Sequence, residues 1–196
     1  MLLRILFPII FTVLFTGCAP SAYVHITTQS DPEFISSSSD KVFVFSSDDD
    51  GVAQRKLAAT LKNEMKVSGI NVANSISEAD YIMFSDLDEK TEKGTSYMYL
   101  PKTSSASGYI GKSSFYGAET TTEAVPYSYT DTDQIIYLYL HRKADLDDHK
   151  KRTVWEGKLS VDKKDYTKHS SIFIGELLKF FGKDHESNEM MIISEN

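Results

Sequence analysis

Gln134-Ile135-Ile136-Tyr137-Leu138-Tyr139-Leu140 is seven residues without glycine or proline, nearly all β-branched, leucine or tyrosine, and it is the strongest strand signal in the chain. A run this apolar has to be paired and covered. A partner follows the charged turn Asp145 to Lys151: in Arg152 to Val161, Trp155, Leu159 and Val161 fall on one face, so the stretch is expected to pair back antiparallel. Cys18 is the only cysteine, so no disulfide framework can hold the sheet and the fold must rest on packing. A hydrophobic content of 41% is sufficient for that.

Upstream, Tyr23-Val24-His25-Ile26-Thr27-Thr28 alternates as a short strand, and Gln29 to Asp40 is a loop by composition. Lys41-Val42-Phe43-Val44-Phe45 and Tyr81-Ile82-Met83-Phe84 are apolar runs that suit covered strands. The second is expected to continue through Asp86, Asp88 and Glu89, to turn at Lys93-Gly94 and to return through Tyr97-Met98-Tyr99-Leu100. Between them a helix is expected, capped by Asp48-Asp49-Asp50, stopped by Gly69 and burying Leu57, Ala58, Leu61 and Met65. A last helix, capped by Asp165 or Ser170, has the apolar face Phe173, Ile174, Leu177, Leu178 and Phe181 and ends at Gly182.

Two helices with one apolar stripe each need a common floor, and the sheet is the only candidate. The expected fold is therefore α+β: an antiparallel-rich sheet with two helices packed on one face, a two-layer sandwich. Residues 101–132 interrupt it. They are rich in Ser, Thr, Gly and Tyr, with neither helical periodicity nor a long apolar run, and read as an excursion, either an irregular β arm or a mobile loop.

The first residues set the address. Met1 and Arg4 precede an eleven-residue apolar run, Ile5 to Phe15, against the roughly 20 that a spanning helix needs, so residues 1–17 read as an export signal. Phe15-Thr16-Gly17-Cys18 resembles the lipobox of bacterial lipoproteins, with Phe15 where leucine is usual. The resemblance implies cleavage after Thr16-Gly17 and diacylglycerol on Cys18, which becomes the new N-terminus, and Ala19 beside it favours the outer membrane, facing the periplasm. The expected organisation is a cleaved signal over 1–17, a lipidated tether over 18–22, one domain over 23–182 containing the excursion, and a polar tail over 183–196 in which Met190 to Ile193 is the apolar exception, with an edge strand there as the alternative. Without Arg4 the chain carries 20 basic against 28 acidic residues, a net of −8. A nucleic-acid partner, which would need a basic surface, is not expected.

The order of strand, Asp31-Pro32-Glu33-Phe34, strand, helix and Ala79-Asp80-Tyr81-Ile82, followed by Gln134 to Leu140 and Thr153-Val154-Trp155-Glu156-Gly157, resembles a large group of bacterial envelope lipoproteins sharing an uncharacterised domain. The late hairpin with its valine-tryptophan-x-glycine strand and a terminal helix belong to the resemblance. It implies a fold and an envelope location, and no catalytic residues.

Catalysis finds little support in the residues. His25, His141, His149, His169 and His185 show no i, i+4 pair for zinc, and the single tryptophan reads as core. Asp145-Leu146-Asp147-Asp148 lacks the downstream glycine and glutamate of a calcium loop. No metal or cofactor is expected besides the covalent lipid. The expected function is non-enzymatic, an accessory or structural lipoprotein docking a protein partner; the alternative is binding or hydrolysis of peptidoglycan or another envelope glycan through the aromatic-rich segment. Eight of the eleven tyrosines lie between Tyr97 and Tyr139, and tyrosine supplies rigid contact area at low entropic cost. Tyr109, Phe115, Tyr116, Tyr127 and Tyr129 are accordingly the expected partner-binding residues.

Overall fold

The computed structural model describes residues 21–47, 49–110, 113–149 and 152–193, with side chains for all of these except 106, 108–110 and 113–117. The chain divides into two compact units, Met1–Lys90 with Asp133–Asn196, and Thr91–Thr132. Its fold is α+β, with a mostly antiparallel seven-stranded sheet.

The strands are β1 (Ser21–Ser30), β2 (Lys41–Val44), β3 (Asn71–Val72), β4 (Tyr81–Ile110), β5 (Ser113–Arg142), β6 (Thr153–Asp162) and β7 (His185–Ile192), in the order β3-β2-β4-β5-β6-β1-β7. The expected pairing of Gln134 to Leu140 with the tryptophan strand is present, running from Asp133 opposite Asp162 to Leu140 opposite Trp155. The register then shifts, so that His141 faces Thr153 and Val154 is the extra residue of a bulge. That bulge explains why neighbours Val154 and Trp155 are both buried. β2 runs parallel to β3 and β4, the arrangement a helical crossover permits.

Among the described residues, three α-helices accompany the sheet: α1 (Val52–Val67), the short α2 (Lys143–Asp147) and α3 (Lys163–Leu178). α1 buries Leu57, Ala58, Leu61 and Met65, the stripe read from the sequence. Its ends correct and extend that reading. Gly51 is the N-cap and makes no side-chain cap bond, while the Asp50 carboxylate accepts from Ser47 N at 2.7 Å and Ser46 Oγ at 3.2 Å, closing the preceding turn instead; Asp48 lies outside the described residues. At the other end Gly69 (φ 78°) donates to Lys66 O and Ile70 N to Met65 O, the double bond of a Schellman stop. α3 is capped by Asp162 rather than Asp165 or Ser170, through Lys164 N and Asp165 N at 2.7 and 3.2 Å. His169 breaks the helical dihedrals inside α3 (φ −130°, ψ 30°), and Phe181 falls beyond its end. The turn Asp145 to Lys151 is partly helical, since α2 occupies its first half.

Trp155 belongs to the core, as the sequence suggested. Its indole N–H donates to Phe180 O at 3.2 Å and its ring tilts against Phe181, with centroids 5.1 Å apart. Gly157, two residues on and on the same face, leaves the room: a Cβ there would lie 2.7 Å from Trp155 Cη2 and 3.2 Å from Leu177 Cδ1. The tryptophan and glycine of this strand are therefore one packing device.

Two boundaries move. The tail from residue 183 contains β7, which pairs antiparallel with β1 from Thr28 opposite His185 to Ser21 opposite Ile192. The polar run His185 to Glu189 disguises the strand. At the start, Ser21 and Ala22 already belong to β1, which shortens the expected tether of 18–22.

Candidate functional site

The second unit, Thr91–Thr132, is made of the far parts of β4 and β5. The expected turn at Lys93-Gly94 is absent: β4 runs straight through it. The reason sits on the opposite strand, where the Tyr129 ring lies over Gly94 so closely that a Cβ would be 2.6 Å from it. An aromatic ring across from a strand glycine covers the backbone that the missing side chain leaves bare. Residues 101–132 are likewise strand for most of their length, with the boundary of the unit ten residues earlier than the sequence suggested.

One register holds the ribbon together. The hydroxyls of Thr91 and Thr132 meet at 3.2 Å, as do those of Thr103 and Thr120, and Thr121 Oγ1 donates to Lys102 O at 3.3 Å. Lys102 Nζ reaches Glu123 Oε2 at 3.0 Å, an exposed pair that contributes little. Alternation then assigns faces. Met98, Leu100, Val125, Tyr127 and Tyr129 share one, with Gly94; Tyr97 and Tyr99 share the other. All seven of these large side chains are exposed, Tyr97 at 59% and Tyr99 at 70%. A two-stranded ribbon has only its two faces and two edges, and here both faces carry apolar area open to solvent.

Of the expected contact residues, Tyr127 and Tyr129 are thus on one face of this ribbon. Tyr109, Phe115 and Tyr116 fall within the bounds of β4 and β5, with side chains outside the described set. Thr16, Gly17 and Cys18 lie outside the described residues altogether. The sequence reading missed Tyr97, Met98, Tyr99, Leu100 and Val125, having assigned the first four to a returning core strand. The signal available was the repeated Tyr-x-Tyr at 97–99 and 127–129.

The first unit holds a separate aromatic feature. Tyr137 and Tyr139 project from β5 away from the core, their rings parallel within 3° and 6.3 Å apart. Lys158 Nζ stands 5.6 Å from the Tyr137 ring centroid. These residues, with Thr27, Gln29 and Glu156, line a shallow cavity of about 310 Å³. Burial, with Tyr137, Glu156 and Asp86 nearby, pushes the Tyr139 phenol above its usual range, so it stays neutral. A second cavity of about 250 Å³ has an apolar floor of Phe34, Tyr81 and Phe181 and a rim of Ser36 to Ser38, Asp40 and Asn71.

The histidines are dispersed. His25 Nδ1 donates to Asn188 Oδ1 at 2.6 Å, His141 Nδ1 donates to Arg152 O at 3.0 Å, and His185 stacks on Phe180. Among the described residues, no three of His, Cys, Asp and Glu gather as a metal site would require. Asp147 pairs with Lys143 across one turn of α2.

No family model and no curated protein matches the chain. Among solved structures, it is similar to a PDZ domain protein from Parabacteroides distasonis, at 12% identity and a TM-score of 0.48. The similarity covers 92% of this chain and 41% of that one, so the chain spans less than half of its length. The site is therefore read from its own residues.

Proposed function

We propose that the chain is a lipid-anchored protein of the bacterial envelope, held through Cys18 at the outer membrane facing the periplasm, and that it acts without chemistry of its own by docking a protein partner on its second unit. The observation that carries the docking is the ribbon: seven large apolar side chains exposed over both faces of Thr91–Thr132. An isolated two-stranded ribbon is marginal in water, and contiguous exposed apolar area marks an interaction surface. Tyrosines among Ser, Thr and Gly supply the contact chemistry that binding loops use.

The scaffold is proposed to be a two-layer sandwich. α3 packs on β6 and on α1, and α1 packs on β2 and β3. Leu61, Phe173 and Leu177 share one buried cluster with Val24, Leu138 and Leu159, which supports both helices on a single face of the sheet.

Glycan binding has an observation of its own, the parallel Tyr137 and Tyr139 rings flanked by Lys158, Glu156 and Gln29. Among the residues lining that cavity Glu156 is the one carboxylate, whereas glycoside hydrolysis uses a pair. Binding, rather than cleavage, is the form in which this second reading stands.

Deletion of residues 94–129, which removes all seven side chains, closed by a short Gly-Ser link, tests the docking. The expected product is a lipidated, folded first unit that loses its crosslinked partner in intact cells. Crosslinking and function at the wild-type level would place the contact surface elsewhere.

A further inference from the structure

The corner of the sheet at which β1 begins carries an apolar surface, and we infer that it lies against the lipid bilayer. The inference rests on the proposed lipid at Cys18. Three steps of chain separate Cys18 from Ser21, a reach of about 11 Å at full extension. Ser21 is already fixed in β1, opposite Ile192 of β7. A lipid on Cys18 would hold this corner within one short tether of the headgroups.

The outward side chains change character toward that corner. Along β7 they are Glu186, Asn188, Met190 and Ile192, facing Thr27, His25, Tyr23 and Ser21 of β1 in turn. The first two rows are polar, and the second is closed by the bond from His25 to Asn188. The last two present Tyr23, Met190 and Ile192, exposed at 63%, 71% and 70%. Met191 and Ile193 point the other way, into the core cluster. Met190 to Ile193 is thus a run apolar on both faces, the pattern of a strand covered twice, with protein on one side only. A tyrosine with aliphatic neighbours suits the boundary between headgroup and acyl chain. Chain length and side-chain pattern, two independent features, meet at the same edge.

The test uses the full lipidated protein, purified from membranes and reconstituted in phosphatidylethanolamine and phosphatidylglycerol vesicles. Met190→Cys and Ile192→Cys are labelled singly with an environment-sensitive fluorophore, with Ile35→Cys and Val67→Cys, both exposed positions of the same unit, as controls. Nitroxide-bearing lipids are expected to quench labels at 190 and 192 several-fold more than labels at 35 and 67. Equal quenching at all four positions in protein that floats with the vesicles would overturn the inference while leaving the anchor intact. Protection of 190 and 192 from aqueous quencher without quenching by lipid would assign the corner to a protein surface and also overturn it. Protein that does not float, and takes up no palmitate in cells, would sink the anchor and this inference together.

Discussion

Leu138→Asp is expected to abolish folding of the first unit. Leu138 is fully buried in the part of β5 that pairs with β6, directly opposite Gly157, within the cluster that includes Trp155 and Leu159. Removing a buried leucine side chain costs about 2–5 kcal/mol through lost packing. The aspartate adds a desolvated, unpaired charge, several kcal/mol more. Domains are stable by only about 5–15 kcal/mol, so the sum consumes most or all of the margin. Circular dichroism during heating should show no cooperative transition. A wild-type melting curve would mean that Leu138 does not face the core and that the β5–β6 register is wrong.

Cys18→Ala is expected to abolish lipidation and to leave a precursor with residues 1–17 still joined. The effect is large because the proposed anchor is a covalent lipid: each buried CH₂ contributes about 0.8 kcal/mol, and stable attachment needs more than one acyl chain. Among the described residues, no helix is long and apolar enough to cross a membrane in its place. Palmitate labelling of wild type against the variant decides the matter, with label expected in the first only. Equal label in both, or none in either, would remove Cys18 as the attachment point.

The core was largely legible because its signals are local. The alternation of β1, the stripe of α1, the hairpin of β5 with β6 and the positions Phe173, Ile174, Leu177 and Leu178 of α3 follow from period and composition alone. The misreadings share a different physics. Lys93-Gly94 has the composition of a turn, and what makes it strand is a ring 35 positions later in the chain, Tyr129 over Gly94. β7 reads as a polar tail because His185 to Glu189 are polar on both faces and its partner β1 is at the opposite end of the chain. Asp162 escaped notice as a cap because it is also the last residue of a strand. For the candidate site, tyrosine enrichment pointed to the right region and missed its organisation. Tyr97 and Tyr99 look like core residues until the register shows that nothing is layered over them within the ribbon.

The central claim, docking through the second unit, is tested most directly by placing a photo-crosslinking amino acid at single positions in intact cells. Tyr127 and Tyr97 sample the two faces of the ribbon, and Tyr137 samples the aromatic platform of the first unit. Irradiation is expected to give a discrete protein adduct from Tyr127, Tyr97 or both, and none from Tyr137. A discrete protein adduct from Tyr137, with the ribbon positions silent, would contradict the account.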